Sequence, residues 1–276
     1  MSDAAERFVN LNGLRLHYLE WGDTGAPPLL LLHGGSAHAH WWDWFAPTVA
    51  DRFRVIALDL RGHGDSQWAD PPAYEVEDYV RDVVAFVERF DLRALRLIGH
   101  SLGGTIAAMA AVEIADRLAA LVIVDSRTKA SPDGSRFMKR LAQMPQPRYR
   151  TLEQGVAQYR LLPVDSSARP DILVAVATHA LKPTSDGTHW TFKFDRAALA
   201  AIRSHDVAPA LAQLHCAILA VRGGASPLMS EKSIAALRVA APQLEVVTVE
   251  GANHHIMLDR PEEFAEVVAS FLDRAT

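Results

Sequence analysis

Serine, histidine and carboxylate side chains carry acyl-transfer chemistry when turns hold them in one place, and this chain has such turns around the right residue types. Gly99-His100-Ser101-Leu102-Gly103 has the G-x-S-x-G spacing. A sharp strand-to-helix turn at that spacing strains the serine backbone, and the small residues at 99 and 103 let strand and helix pass close together. The Ser101 hydroxyl is then exposed at a helix N-terminus. There the helix dipole and free N–H groups favour negative charge on a reacting oxygen, and the Leu102 N–H points at that position. His33-Gly34-Gly35-Ser36 is a second turn, in which glycine lets the backbone approach a ligand. The Gly35 N–H, with that of Ser36 as second choice, would join Leu102 in an oxyanion hole.

Other polar groups read differently. His38-x-His40 has metal-ligand residue types, but no carboxylate or cysteine is expected at ligand spacing, so no metal is expected. Trp41, Trp42 and Trp44 read as helix packing or a pocket wall. Asp59-Leu60-Arg61-Gly62-His63-Gly64-Asp65-Ser66 is a charged, glycine-punctuated turn in which Asp59 and Arg61 are expected to bond loop backbone rather than to react. Cys216, the single cysteine, excludes an intramolecular disulfide and a cysteine-based zinc site, and its place before an apolar run reads as a buried structural thiol.

The elements that must position these groups follow from hydrophobic periodicity. Leu95, Leu97 and Ile98 form a short apolar run before Gly99, and Ile106, Ala107, Met109, Ala110 and Ile114 recur at helical spacing after Gly104. Pro28 to Leu32, Arg54 to Leu60, Leu118 to Val124, Ala217 to Arg222 and Leu244 to Val249 read as buried strands, and Arg15 to Trp21 as a hairpin or edge strand. Val76 to Phe90 is an amphipathic helix, Ser230 to Val239 a further helix, and Pro261 to Leu272 a closing helix with proline at its start. Asp125 stands at the carboxyl end of its strand, the edge at which open α/β sheets bind ligands, and so shares an edge with Ser101 and Gly35. Between 126 and about 212 the alternation lapses into helical patterns, several prolines and a Gly187 turn before Trp190-Thr191-Phe192-Lys193-Phe194-Asp195. This predicts a mainly helical lid over the sheet edge. From Arg127 to Arg160 the basic residues 127, 129, 136, 139, 140, 148, 150 and 160 outnumber Asp133 and Glu153; the excess could attract anionic substrates, but a solvated face is the preferred reading.

With 276 residues, 49% of them hydrophobic, the chain can bury a sizeable core as one large α/β domain or a domain with an insertion. A net charge of −5 and a pI near 6.2 give no general attraction for nucleic acid or an anionic membrane. The first residues have no basic and apolar signal pattern, and Leu29 to Leu32 is too short to span a bilayer, so a cytoplasmic protein is expected.

Taken together, His33-Gly34-Gly35, Asp59 to Ser66, Gly99 to Gly104 and Gly251-Ala252-Asn253-His254 before Leu258-Asp259-Arg260-Pro261 resemble, in order and along nearly the whole chain, the α/β-hydrolase superfamily. The resemblance implies a mostly parallel eight-stranded sheet flanked by helices, with a core of residues 1–125 and 213–276 and a helical lid, 126–212, inserted after the sixth strand. It maps Ser101 onto the nucleophile and His254, five residues before Asp259, onto the histidine; His255, the competitor, should point elsewhere. The family's usual acid position, after the seventh strand, is held here by Ser226 in Gly223-Gly224-Ala225-Ser226-Pro227. Some members draw the acid from the end of the sixth strand, which implies Asp125, with Ser226 largely indifferent.

That triad implies attack of Ser101 on a carbonyl and hydrolysis of an acyl-enzyme, with a carboxylic ester or lactone as the small-molecule substrate and no cofactor. Thioesterase, carbon–carbon hydrolase and perhydrolase chemistry are the alternatives on the same triad. The resemblance also covers ligand-sensing receptors. Trp190, Phe137 and Met138 are the candidate substrate-pocket residues of the lid, and a homodimer remains open.

Overall fold

The computed structural model describes residues 4–126, 132–200 and 205–275. Two antiparallel strands open the chain, β1 (Ala5–Leu11) and β2 (Leu14–Trp21). Asn12 and Gly13 join them with positive φ at both, the geometry of the short hairpin turn that matches strand twist. β1 escaped the sequence reading because it is half exposed and carries little apolar pattern. Next come β3 (Pro28–Leu32), β4 (Arg54–Leu58), the helix α1 (Val76–Arg89), β5 (Leu95–His100), α2 (Leu102–Glu113) and β6 (Leu118–Val124).

The segment after β6 holds α3 (Pro132–Ala142), α4 (Leu152–Gln158), α5 (Pro170–His179), β7 (Leu181–Pro183), β8 (Trp190–Phe192) and α6 (Ala197–Ala200). Pairing of β7 with β8 adds an antiparallel ribbon to what sequence periodicity predicts as mainly helical. α7 (Ala208–Leu211) falls inside the stretch assigned to the lid, yet it packs on α2 and on α8 (Glu231–Ala240), with Val207, Leu211 and Leu214 buried in the core. The core resumes through β9 (Ala217–Gly223), α8, β10 (Leu244–Val249), α9 (Ile256–Asp259) and α10 (Pro261–Arg274).

The main sheet has eight strands in the order β1-β2-β4-β3-β5-β6-β9-β10. β2 runs antiparallel to both its neighbours, and the remaining pairs are parallel. Both faces are covered, as the leucine run of β3 shows. Leu30 and Leu32 join the apolar cluster beneath α1 and α2, whereas Leu29 and Leu31 join the one beneath α10 and the tryptophan turn at 41–42. All four are fully buried, and burial of each contributes about 1.5–3 kcal/mol. A parallel sheet covered in this way brings the ends of β3, β5, β6, β9 and β10 to one edge, where the chemistry-bearing turns lie.

Cys216 lies just before β9, half-buried rather than buried, and desolvation raises its thiol pKa. Among the described residues no helix is long and apolar enough to cross a membrane.

Candidate active site

β5 delivers Ser101 into a backbone conformation, φ 54° and ψ −115°, that a residue with a side chain adopts only under strain of about 1–3 kcal/mol. Surrounding bonds hold it there. The Ser101 N–H donates to Val124 O at 2.9 Å, and Ser101 O accepts from the Gly104 N–H at 3.0 Å and from Ser126 Oγ at 2.9 Å. A Cβ on Gly99 would stand 2.2 Å from Gly103 O, and one on Gly103 would stand 2.4 Å from Leu32 O, so only glycine permits this crossing of strand and helix. Ser101 is partly accessible, and Leu102 is the first residue of α2, where helix geometry leaves N–H groups without intrahelical acceptors. The 33–36 turn lies against the serine: a Cβ on Gly34 would be 3.3 Å from Ser101 Cβ. Gly35 and Ser36 follow directly, Ser36 at φ 59°.

The next strand end carries Asp125, also at positive φ (43°) and wholly buried, its N–H donating to Val221 O at 2.8 Å. Its Oδ2 receives His254 Nδ1 at 2.8 Å. The same oxygen accepts Ser226 Oγ at 2.5 Å, which corrects the expectation that Ser226 is indifferent. A buried hydroxyl beside a buried carboxylate donates to it. Desolvation pushes the Asp125 carboxyl up to about 6, against the pull of Ser226 and of the Gly223 N–H. The Gly223 contribution is the weaker, since Oδ1 makes no hydrogen bond of good geometry.

The neighbouring histidines have other partners. His255 Nε2 donates to Pro163 O at 2.9 Å, tying the histidine loop to the segment above it, and burial lowers its pKa. His100 Nε2 donates to His254 O at 3.0 Å, with the two rings 4.6 Å apart. Asp259 accepts from the backbone N–H groups of Asn253, at 2.7 Å, and Ser167, at 2.8 Å, so it sets the loop's shape. Because His255 bonds a carbonyl and not the acid, His255→Ala should lower turnover of p-nitrophenyl acetate by less than about tenfold, the order of one neutral hydrogen bond. A loss as deep as that of His254→Ala would show that the two imidazoles have exchanged roles.

Asp59 is structural, as expected. It accepts from the Ala39 N–H at 2.6 Å, His17 Nδ1 at 2.7 Å and the Asp65 N–H at 2.8 Å; against desolvation, the His17 bond and the nearby His17, His33 and His38 hold its pKa low. Arg61 reaches Asp82 through two nitrogens and bonds one backbone carbonyl, Ala73 O. His63, desolvated to a pKa of about 3, packs 6.3 Å from the Phe194 ring.

The expectation that no carboxylate stands at ligand spacing near His40 is corrected. His40 Nδ1 meets Asp43 Oδ2 at 2.9 Å, three residues on, and the His179 ring stacks on His40 at 3.6 Å. His40, Asp43 and His179 could together hold a metal ion, as could His100, His254 and His255 or His17, Asp59 and Asp65.

Of the candidate pocket residues, Phe137 lines a cavity of about 150 Å³ that includes Ser36. Met138 and Trp190 do not line it; Trp190 exchanges backbone hydrogen bonds with Tyr149 at 2.8 Å. Tyr159, Phe192, Phe194 and Arg196, none of which the sequence reading singled out, do line it. The signal for three of them was present: 192, 194 and 196 alternate along an extended segment. The odd positions face elsewhere, Lys193 to Asp65 and Asp195 to the Tyr74 hydroxyl.

Residues 29–267 match the model of the alpha/beta hydrolase family. The chain is similar to 2-(acetamidomethylene)succinate hydrolase of Mesorhizobium japonicum, 26% identical over 97% of this chain and 95% of that protein. It is also similar to N-formylmaleamate deformylase of Pseudomonas putida, 29% identical over 96% and 95%. The crystal structure of E-2-(acetamidomethylene)succinate hydrolase superposes with a TM-score of 0.87 at 25% identity, over 98% of this chain and 99% of that one.

Proposed function

The chain belongs to the alpha/beta hydrolase family, and from that premise we propose that it is a serine hydrolase cleaving a carboxylic ester or lactone through an acyl-enzyme on Ser101. The observation that carries this reading is the hydrogen bond from His254 Nδ1 to Asp125 Oδ2, made at the strand ends beside the strained serine. An acceptor at Nδ1 fixes the tautomer in which Nε2 carries no proton and can take one. His254 then removes the Ser101 proton as the oxygen attacks the carbonyl. The Gly35 and Leu102 N–H groups hold the oxyanion, and the protonated imidazole gives its proton to the leaving group. Water, deprotonated by the same histidine, cleaves the acyl-enzyme.

A second reading, cleavage of an amide-type acyl bond on the same serine, is favoured by the names of two relatives, a deformylase and an acetamidomethylene hydrolase. Both readings need the same nucleophile. A fluorophosphonate probe should label one residue per chain, Ser101, located by peptide mass spectrometry; turnover of p-nitrophenyl esters and of N-formyl amides then ranks the two bonds. Labelling elsewhere, with Ser101 unmodified, would overturn the proposal. Slow single-turnover hydrolysis would point to a ligand sensor instead.

The elevated Asp125 pKa sets the acid limb of activity. Above about 6 the carboxylate is charged and stabilises the imidazolium formed during attack; below it the protonated acid cannot. kcat/KM should therefore fall as pH drops through about 6. An ester profile flat down to pH 4.5 would contradict a role for Asp125.

A further inference from the structure

The cavity beside the oxyanion turn has an unbalanced lining. Ser36 forms one side, and aromatic and aliphatic groups from the segment between β6 and β9, among them Phe137, Tyr159, Phe192 and Phe194, form most of the rest. Two guanidinium groups, Arg160 and Arg196, also line it, and among the described residues no carboxylate does. Arg160 is exposed and caps its own helix end through Ala157 O and Tyr159 O. Arg196 is different. Its Nε is buried without a hydrogen-bond partner, and among the described residues its one hydrogen bond is a long contact from Nη1 to Leu141 O at 3.4 Å. It forms no salt bridge among the described residues, whereas Arg148, Arg169, Arg222 and Arg274 each pair with an acid. Burial lowers its pKa, as expected of a cation taken from water without a counter-ion.

A half-buried guanidinium with its Nε enclosed and unpaired costs stability unless something occupies its donors, and its planar fork matches a carboxylate. We propose that the substrate carries a free carboxylate, bound by Arg196 in this aromatic cavity while the scissile carbonyl lies over Ser101. The placement supports it: Ser36 lines the cavity, and Gly34, two residues earlier, abuts Ser101. The small cavity, about 150 Å³, suits a short dicarboxylic monoester or monoamide rather than a long acyl chain. This deepens the serine-hydrolase reading, on which its kinetic test rests.

Matched substrates test it. The wild type should prefer p-nitrophenyl hydrogen glutarate to p-nitrophenyl valerate, or 3-carboxyphenyl acetate to phenyl acetate, by about 10- to 100-fold in kcat/KM, the range for one charge-assisted pair. Arg196→Gln should collapse that ratio, mainly through KM, and Arg196→Lys should keep part of it, because lysine retains the charge without the fork. No preference in either wild-type pair, or equal losses on both members of a pair in Arg196→Gln, would overturn the proposal, and the wild-type comparison holds even if the variants fail to fold. Calorimetric titration of the wild type with glutarate gives an independent readout. Arg196-dependent glutarate binding without turnover of any ester or amide would sink the serine-hydrolase reading and leave the carboxylate site standing. Turnover of neutral esters without glutarate binding would do the reverse.

Discussion

Ser101→Ala should lower kcat by about a million-fold while leaving thermal stability at or above the wild-type value. The kinetic loss follows because no other group can form the acyl-enzyme; the magnitude is that of removing the nucleophile of a serine hydrolase. Stability is spared because Ser101 Oγ fills no core space: the bonds that hold the elbow are made by its backbone and by Ser126 Oγ. His254→Ala should lose about as much, and the double variant no more, because nucleophile and base act as one unit. Turnover and melting temperature of the three variants decide the matter. Residual activity above a few per cent in Ser101→Ala, with contamination excluded, would remove the serine from the mechanism, and losses that multiply in the double variant would separate the two roles.

Asp125→Asn is the second large effect, a loss of about ten-thousand-fold in kcat, as described for a serine-protease triad. Here the geometry gives a specific cause. Ser226 Oγ already donates to the oxygen that accepts His254 Nδ1. In the variant the Gly223 N–H draws the amide oxygen, and the NH₂ takes the place of Oδ2, donating to Ser226 Oγ and facing the imidazole. His254 must then accept at Nδ1 and carry its proton on Nε2, the tautomer that cannot take a proton from serine. Stability should move the other way. The native carboxyl holds its proton up to about pH 6, against an ordinary value of 3.8. Between those values the native state binds more protons than the unfolded chain, so wild-type stability declines as pH rises through this window. The amide lacks that decline and should melt at or above the wild type at pH 8. Adding Ser226→Asp should restore part of the rate, since that side chain already touches Asp125. Near-wild-type kcat in Asp125→Asn would remove it from the site; a double variant that stays inactive would refute only the rescue.

How much was legible in the sequence depended on how local each cause was. The buried strands were visible because Leu29 to Leu32 and Leu118 to Val124 are continuous apolar runs, and the elbow because its glycines crowd backbone on backbone. β1 was not, since an exposed edge strand needs only its partner's hydrogen bonds. The segment between β6 and β9 was harder: β7 and β8 are three residues each, below the length at which alternation can be told from chance. Asp125 was nameable through its strand end and His254 through the resemblance and its spacing to Asp259, and Asp43, three residues from His40, lay within reach of a local pattern. The Ser226 bond, the His179 contact to His40 and the orphaned Arg196 arise from residues far apart in the chain, which no local pattern encodes.

The 2.5 Å contact between Asp125 and Ser226 bears on how such sites change over descent. Two adjacent strand ends serve one imidazole. A carboxylate gained at 226 would stand beside the one at 125, and like charges at that distance share a proton instead of both ionising. Where a carboxylate at 226 also reaches His254, which the Ser226→Asp rescue tests, one ionised acid stays on the histidine while either carboxylate is lost. The strand bearing the acid would then be a weaker marker of ancestry than the histidine loop that both positions face.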